Sequence, residues 1–307
     1  ELIRVRATWE KENVIPTEKI PAGDKTGDLD DRQSKGNDKP LKRGETQWTD
    51  FFMPRQLICC GVLVEELRAL LPEIRSAEGI EVAEAVAHVL AFILDKFYNH
   101  NCNGTRWENT RAVIKSKMDR HDYAYKLTFA ELAPCNAGSG LEWAMNNVTE
   151  ALEEIGKLFR AEDAVAPEIL MGSAVSMPHL ETASMTAVVV DPPYDDNVQY
   201  SELADFFYVW LKRTQGHRRP EWFSTYLCEH TEEAVVNTSR FKDRFEKTKD
   251  AKAASRQFYR KLMTDSFTEA KRILRDDGVL TVMFTHKKQE AWEALFASLI
   301  NAGFTIT

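Results

Sequence analysis

The sequence predicts an α/β protein in which a parallel sheet, with helices on both faces, follows a mainly helical N-terminal part. Apolar residues recur at helical spacing through residues 47–160, and short apolar runs alternate with helical patterns through residues 161–307. Hydrophobic residues make up 43% of the chain and charged residues 29%, so there is enough apolar material for a large core. This composition excludes global disorder.

Residues 1–46 are predicted to be an extended or mobile segment. Residues 1–8 alternate loosely and fit an edge strand, whereas residues 17–45 are rich in Gly, Lys and Asp and contain no aromatic residue. The chain begins with Glu1 and ends in Gly303–Thr307, which has the pattern of a strand that is beginning. We therefore expect the sequence to be a piece of a longer polypeptide.

The part spanning residues 47–160 is predicted to contain three helices. The first follows a cap at Thr49 or Asp50 and ends near Pro72, because proline disrupts a helix interior. The second spans residues 80–97 and has a wide apolar stripe. The third spans residues 141–159, after a Gly-Ser-Gly turn that suits a helix start.

Residues 161–307 are predicted to alternate between strands and helices, which implies parallel strand pairing. The elements expected in chain order are a strand at 168–171, a buried strand at 187–190, a helix at 202–212, a helix at 257–274, a turn at 276–278, a strand at 279–284 and a helix at 289–301. The aromatic cluster at 206–210 has helical spacing and is predicted to pack in the core.

Charge and cysteine content limit the possible partners. The formal net charge of −8 means that any nucleic-acid contact must be local. The candidate phosphate contacts are Arg213, residues 217–219 and residues 240–252, although the last stretch is interleaved with acidic residues, as in salt-bridged exposed segments. The five cysteines form no C-x-x-C pair, which predicts reduced thiols without a metal. The sequence contains neither a membrane-spanning run nor a secretory signal, so we expect a soluble, cytoplasmic protein.

The tetrapeptide Asp191-Pro192-Pro193-Tyr194 is the main candidate for a catalytic site. It follows the apolar run at 188–190, and ligands of parallel sheets bind beyond the carboxyl ends of the strands. The two prolines make the loop rigid and remove two donors, so the loop presents acceptors. Acceptors at Asp191 and the Pro192 carbonyl can bind the N–H groups of an aromatic amine and direct its lone pair at an electrophile, while Tyr194 provides a stacking face. The alternative is a rigid proline turn without a chemical role.

These residues resemble the catalytic motif of the amino-methyltransferases that make N6-methyladenine and N4-methylcytosine. The longer run DPPYDDNVQYSELADFFYVWLKR is similar to a bacterial and archaeal family of adenine-specific DNA methylases that carries a DUF1156 domain. The resemblance extends from about Trp48 to the C-terminus through WTDFFMPRQL, FAEL, GSAVSMP and RILRDDGVLTVMFTHKK. It implies a Rossmann-like methyltransferase sheet, S-adenosylmethionine as the cofactor, DNA as the partner and N6 of adenine as the methylated atom.

The resemblance also implies contacts with the cofactor. The stretch that contains Phe51, Phe52 and Pro54 is similar to a Phe-x-Thr-Pro segment that lies against S-adenosylmethionine, although it also fits the opening of an amphipathic helix. Gly172 and Ser173 stand where the family often has Gly-Asp. The glycine-rich cofactor loop of such enzymes has no match in the chain, because residues 136–140 are more typical of a helix start. In the family, that loop lies upstream of the region that this chain resembles.

Four further residues are candidates for contact with the substrate. Asp195, Asn197 and Tyr200 lie on the loop that enters the next helix, where they can contact an extruded base or its sugar, or simply cap the helix. His286 ends the strand predicted at 279–284, at the same sheet edge as Asp191. Its alternative is a solvated strand end.

Three functions fit these patterns. The first is a DNA methyltransferase that acts on adenine N6. The second is an RNA or protein amino-methyltransferase, because guanine-N2 and glutamine-N5 enzymes use similar Pro-Pro-Tyr loops. The third is a catalytically incomplete DNA-binding or scaffold subunit, and other subunits are possible partners in each case.

Overall fold

The computed structural model describes residues 1–21, 40–123, 130–159, 165, 167–245 and 247–307. The chain divides into two compact units, of which the first comprises Glu1–Ala166 with Tyr200–His230 and the second comprises Pro167–Gln199 with Thr231–Thr307. The boundaries predicted at 46/47 and 160/161 divide the chain differently, because they leave residues 200–230 with the C-terminal part. The segment at 22–39, which belongs to the predicted mobile region, lies outside the described residues.

The first unit is mainly helical. Its helices are α1 (Leu2–Lys11), α2 (Pro54–Glu78), α3 (Ile80–His100), α4 (Gly140–Leu158) and α5 (Tyr200–Gln215), with 3-10 helices at Pro40–Arg43, Trp48–Phe51 and Pro220–Phe223. An antiparallel hairpin is formed by β1 (Arg106–Glu108) and β2 (Val113–Lys115). Helices α2, α3, α4 and α5 confirm the four helices that the apolar periodicity predicts in this part of the chain.

The N-terminus is a helix and not the predicted edge strand. Trp9, on α1, is 4% exposed, and its indole Nε1 donates to Glu65 Oε1 at 2.8 Å. The ring covers Gly61 of α2 so closely that a Cβ at Gly61 would lie 2.4 Å from Trp9 Cζ3. Val14 and Ile15 are also buried, so the segment at 1–21 contributes side chains to the core. A contact with a glycine about fifty residues away leaves no signal in the local pattern of residues 1–8.

Helix α2 does not end near Pro72 as predicted. It continues to Glu78 and ends at Gly79, whose φ of 87° lies in the left-handed region that glycine tolerates. Pro72 lacks the N–H that would bond the Arg68 carbonyl. Burial of Leu67 and Leu71 on the core side of this turn supplies packing that offsets the lost bond.

The core of the first unit is a cluster of aromatic rings. Phe52 stacks on Phe206 at a centroid distance of 6.0 Å and meets Trp210 edge-on at 5.4 Å. Further rings of the cluster are Trp48, Phe51 and Tyr98. Phe206 and Trp210 are fully buried, which confirms that this part of α5 packs in a core.

A buried ion pair fastens the N-terminal segment to α5. Arg213 Nη2 lies 2.7 Å from Glu18 Oε2, and the side chains are 1% and 5% exposed. Arg213 Nη1 also donates to Glu18 Oε1 at 2.7 Å and to the Val209 carbonyl at 3.0 Å. Arg213 is therefore buried, and the prediction that it contacts phosphate is wrong. Both terminal nitrogens of the guanidinium are paired, whereas Nε is buried without a hydrogen-bond partner, so the Glu18 carboxylate provides most of the compensation for burying this charge.

Replacing Glu18 with Gln should lower the free energy of unfolding by about 3–5 kcal/mol, because it leaves the Arg213 charge buried without a counter-charge. Denaturant unfolding of the variant measures this loss. Glu10→Gln is the matched control, since Glu10 pairs with Arg6 while both side chains remain more than a third exposed. That change should cost about 1 kcal/mol or less. Equal losses of unfolding free energy in the two variants would show that the buried ion pair stabilises the fold no more than the exposed one.

The second unit contains a pair of parallel strands, β3 (Met185–Val190) and β4 (Leu274–Val282). It also contains helices α6 (Thr248–Ile273) and α7 (Gln289–Asn301) and a 3-10 helix at Thr238–Arg244. In the main register, Val188 lies opposite Leu280 and Val190 opposite Val282. Mixed α/β structure with parallel strand pairing agrees with the predicted fold class.

Both helices of this unit pack on the same face of the strand pair. Val190, Leu280 and Val282 contact the core formed by α6 and α7. On the opposite face, Val189 is 65% exposed and Val279 61% exposed. Helices on both faces are thus not found within the described part of this unit. The strand predicted as buried is covered on one side only, because successive side chains of a strand point to opposite faces.

Two other predictions about this region are corrected. Residues 168–171 are exposed and form no strand, since a short apolar run without a pairing partner does not make one. Strand β4 begins at Leu274, directly after α6, and not after the predicted turn at 276–278. Its register shifts, because Leu274 lies opposite Met185 and Val279 lies opposite Ala187, so residues 275–278 form a bulge.

The longest helices are amphipathic. Helix α2 has 25 residues and α6 has 26, and in both a buried stripe alternates with exposed charged residues. None of the helices in the described ranges combines the length and the apolar character that crossing a membrane requires.

Candidate active site

Strand β3 delivers Asp191 to the carboxyl end of the strand pair. The last bond of the pairing runs from the Met283 amide to the Val190 carbonyl, at 2.9 Å. Asp191 is the next residue and is exposed, whereas Pro192 and Pro193 are half-buried. The structure therefore places the tetrapeptide where ligands of parallel sheets bind.

Two contacts within the loop define its shape. The Tyr194 hydroxyl donates to Asp191 Oδ1 at 2.5 Å, and the Asn197 amide donates to the Tyr194 carbonyl at 3.0 Å. The Tyr194 ring meets Phe284 edge-on at a centroid distance of 5.0 Å. The bond from the tyrosine to the aspartate is not evident from the sequence. It fixes the carboxylate and leaves its second oxygen, Oδ2, outside this contact.

Groups from other elements hold the loop from behind. The hydroxyl of Tyr259, on α6, donates to the Pro193 carbonyl at 2.8 Å and lies 3.4 Å from the Asp195 amide nitrogen, which donates to it. The Val236 amide donates to the Asp195 carbonyl at 3.0 Å. Asp195 has a φ of 52°, a left-handed conformation that costs free energy in a residue other than glycine. Hydrogen bonds to the amide and to the carbonyl of Asp195 therefore stabilise a strained turn.

His286 and Lys288 meet the acidic residues that follow the motif. Lys288 Nζ lies 2.7 Å from Asp196 Oδ2 and 2.9 Å from Oδ1. His286 Nε2 is 3.8 Å from Asp196 Oδ1, and the His286 side chain is only 3% exposed. Trp292 Nε1 donates to the His286 carbonyl at 3.0 Å. The predicted proximity of His286 to the motif is thus present, but the ring is buried and not free in solvent.

Asp195, Asp196 and His286 offer ligand atoms within 4.8 Å of one another, so the cluster could hold a metal ion. Its hydrogen bonds favour another arrangement. The Lys288 amide donates to His286 Nδ1 at 3.1 Å, so a neutral ring carries its proton on Nε2, which faces Asp196 Oδ1 at 3.8 Å without a hydrogen bond. The Lys288 ammonium already binds both oxygens of that carboxylate. The cluster therefore fits a hydrogen-bonded ion-pair network better than a metal centre.

Asp195 is the unusual acid of this network. The residue is 6% exposed, and its carboxylate accepts no hydrogen bond from any residue in the described ranges. Burial raises the pKa of Asp195, and the neighbouring Asp196 charge raises it further. Lys288, Arg256 and His286 act in the opposite direction without cancelling the rise. Because none of the described residues donates to this carboxylate, it is open to a donor group of a ligand.

Asp195→Asn should raise stability at pH 7–8 and should give little gain below the ordinary aspartate pKa of about 3.9. Because the folded-state pKa is raised, the favourable contribution is present below the unfolded pKa and is lost as the pH rises through the folded pKa. Asparagine does not ionise and avoids that loss. Thermal unfolding over a pH range from about 3 to about 8, which spans the ordinary aspartate pKa, measures the difference, with the exposed Asp276→Asn as a control. A gain that does not depend on pH would contradict this explanation.

Comparison with protein-family models, with curated proteins and with solved structures gave no match. The family resemblance of the sequence is therefore still a prediction. The geometry of the loop and its neighbours is what bears on function.

Of the predicted cofactor residues of the first unit, Phe51 and Phe52 are buried and Pro54 is exposed. Phe51 is fully buried and Phe52 is 6% exposed, and both rings are surrounded by the aromatic core. Pro54 is exposed, but it is the first residue of α2. Phe51 and Phe52 thus do not fit a contact with a sulfonium group, and the helix-opening alternative for this stretch is the one observed.

Gly172 and Ser173 belong to the second unit but are not brought to the Asp191 loop. They begin a turn in which the Ser176 amide donates to the Ser173 carbonyl at 3.0 Å. The turn continues into Met177, whose amide donates to Glu269 Oε1 at 2.6 Å, near the end of α6. Glu269 and Tyr259 are separated by about 15 Å along the helix axis at 1.5 Å per residue. The described contacts therefore place this turn at the amino end of β3.

The other candidate residues are distributed between the units. Asn197 is exposed in the loop, and Tyr200 is 52% exposed at the start of α5, in the first unit. Arg218 and Arg219 both bind Glu84, at 2.6 and 3.0 Å, so the predicted phosphate path at 217–219 is tied up in ion pairs. Within the second stretch, Arg240 is paired with Glu233 at 2.6 Å.

Exposed cations do occur at the start of α6. Lys249 and Lys252 are exposed and have no ion pair with any residue that the structure describes. Arg256 follows one turn later and is close enough to Asp195 to influence its pKa. Because these residues recur at three- and four-residue spacing, they form one flank of the helix that also carries Tyr259.

Proposed function

We propose that this chain carries the amine-binding part of an S-adenosylmethionine-dependent methyltransferase that acts on N6 of adenine in DNA. The observation that carries the proposal is the set of acceptors at the end of β3. The Pro193 carbonyl is bound by Tyr259, whereas the Pro192 carbonyl accepts no hydrogen bond from the described residues. Asp191 is exposed beside it, with one oxygen held by Tyr194. The Pro192 carbonyl and the second carboxylate oxygen of Asp191 thus belong to neighbouring residues, and neither is bound by Tyr259 or Tyr194.

An exocyclic amine needs such a pair of acceptors. Its lone pair is conjugated with the ring, so the nitrogen is a poor nucleophile until its two N–H groups are held out of that geometry. The Asp191 carboxylate and the Pro192 carbonyl can each accept one N–H, which directs the lone pair away from the loop. S-adenosylmethionine supplies the electrophilic methyl group in this class of reaction.

Aromatic contact favours a planar substrate. The Tyr194 ring is held at its edge by Phe284, which in turn meets Trp292 at a centroid distance of 5.1 Å. A base that stacks on such a ring gains about 1–3 kcal/mol. The Tyr194 hydroxyl anchors the ring to Asp191, so the stacking face and the acceptor move together.

The methyl donor's own contacts are a separate question. Phe51 and Phe52 do not fit a cofactor contact, and Gly172 and Ser173 lie away from the loop, so we assign no cofactor residue to the described part of the chain. The Rossmann-like sheet and the cofactor belong to the proposal because of the family resemblance of the sequence. Calorimetric titration of S-adenosylmethionine into the protein tests that part.

Asp191→Ala should lower methylation of DNA by about 100-fold or more, because it removes one of the two acceptors that activate the amine. The assay digests DNA treated with the protein and quantifies N6-methyladenine. Asp276→Ala, which removes an exposed carboxylate from the bulge of β4, is the matched control and should leave the rate unchanged. Undiminished methylation by the Asp191 variant would refute this mechanism. Methylguanine in RNA or methylglutamine in protein, in place of N6-methyladenine, would reassign the substrate.

The cationic flank of α6 supports a nucleic-acid substrate. A protein with a net charge of −8 needs a local basic surface to bind phosphate, and Lys249 and Lys252 provide one that leads towards Tyr259 and the loop. Lys249 and Lys252 have no ion-pair partner among the residues that the structure describes, in contrast to Arg218 and Arg219.

Lys252→Glu should weaken DNA binding several-fold and reduce the slope of log affinity against log salt by about one, which corresponds to the loss of one phosphate contact. Fluorescence anisotropy at several salt concentrations measures both quantities. Lys261→Glu is the matched control: this lysine is also exposed on α6, but it is paired with Asp265. If both variants change the slope equally, the effect is one of net charge and the proposed surface is wrong.

A further inference from the structure

We infer that Tyr259 is a positioning residue, which holds the Asp191–Tyr194 loop in its acceptor geometry by a hydrogen bond to the Pro193 carbonyl. The inference rests on the proposed function. Tyr259 lies on α6, far from the motif in sequence, and nothing in the motif indicates it. Its side chain is 1% exposed and approaches the loop from the core side.

The hydroxyl of Tyr259 bridges two backbone groups. It donates to the Pro193 carbonyl at 2.8 Å, and it accepts from the Asp195 amide at 3.4 Å. These groups flank Tyr194 on either side. A phenol has one proton to donate and oxygen lone pairs to accept with, so this single oxygen fastens the chain immediately before and immediately after the stacking ring.

The bridge decides which carbonyl is open. Pro192 and Pro193 both present carbonyls but no N–H groups, so the loop has no backbone donors of its own at these positions. Tyr259 occupies the Pro193 carbonyl and leaves the Pro192 carbonyl for a substrate amine. Without the hydroxyl, the Pro193 carbonyl would be a half-buried acceptor without a donor, and the peptide would gain by turning towards water.

The surroundings keep the hydroxyl protonated and in place. Tyr259 packs in the core with Met263, Phe267 and Leu295. Burial raises the pKa of Tyr259 to about 12, so the group remains a donor throughout the range in which the protein would work. Packing fixes the position of the Tyr259 ring, and the ring fixes the direction from which the hydroxyl donates to the Pro193 carbonyl.

Tyr259→Phe isolates the hydroxyl, because it keeps the ring and its packing. Two measurements apply: hydrogen exchange of the peptide that covers residues 191–197, and steady-state kinetics of methylation by the protein. We expect faster exchange in this peptide alone. We also expect kcat to fall by about 10- to 100-fold with each KM changed less than about threefold, since misplacement by 1 Å can cost about that much.

Two control variants separate positioning from stability. Tyr98→Phe removes another buried hydroxyl that donates to a main-chain carbonyl, that of Cys60 at 3.2 Å, and it should affect neither measurement. Met263→Ala weakens packing in the same core as Tyr259 and should lower the melting temperature more than Tyr259→Phe does, while kcat is retained at temperatures where the variant is folded.

The outcomes distinguish this inference from the proposed function. If the wild-type protein methylates no substrate, the proposed function fails, and exchange of the 191–197 peptide still decides whether Tyr259 holds the loop. If the wild type is active and Tyr259→Phe leaves kcat unchanged, the positioning role is overturned while the function stands. An equal loss of kcat in Met263→Ala would also overturn it, because destabilisation would then explain the effect.

Discussion

Two adjacent prolines impose the main constraint on this site, because a Pro-Pro loop has no backbone donors at those positions, and the described bonds within the loop are those of Tyr194 to Asp191 and Asn197. The loop is held by groups from separate elements, namely the Tyr259 hydroxyl of α6, the Val236 amide and the Lys288 ammonium. The acceptors are therefore only as well placed as the elements around them. The geometry of the site and the packing of the second unit depend on each other.

The charges around the loop include an unfavourable interaction, between the Asp195 and Asp196 carboxylates, that is only partly offset. Two carboxylates about 4 Å apart repel by roughly 4 kcal/mol at an effective dielectric constant near 20. The side chains of Lys288 and Asp196 are 47% and 35% exposed, so their ion pair contributes about 1 kcal/mol or less to stability. The lysine alone does not balance the pair, and a raised pKa of Asp195 is the less costly response. Unfavourable local terms of this kind are typical of functional sites, where activity and not stability is selected.

Much of the architecture follows from periodicity, because burial of one face is a local property. Helices α3, α4 and α7 agree with their predicted ranges to within a few residues, and β3 contains the strand predicted at 187–190. The predictions that were wrong concern residues whose structure depends on partners far away in the sequence. Trp9 is helical because it packs on Gly61, and Phe51 is buried by rings from α5, so neither outcome has a local signature. The burial of Arg213 likewise has no local signature, because it depends on the ion pair with Glu18.

The candidate site also contains a part that the local sequence predicts and a part that depends on a distant residue. Consecutive residues such as Asp191–Tyr194 can be read from sequence, because covalent connection fixes their geometry, whereas Tyr259 is simply one more residue of a buried helical stripe that also contains Ser255 and Met263. Its role depends on the register of α6. A shift of one residue would rotate the side chain by about 100° and move it about 1.5 Å along the axis, which is enough to break a 2.8 Å bond to Pro193. A chain could thus keep the motif intact and lose the acceptor geometry, so the motif is necessary for the proposed chemistry and the helix behind it decides whether the motif can act.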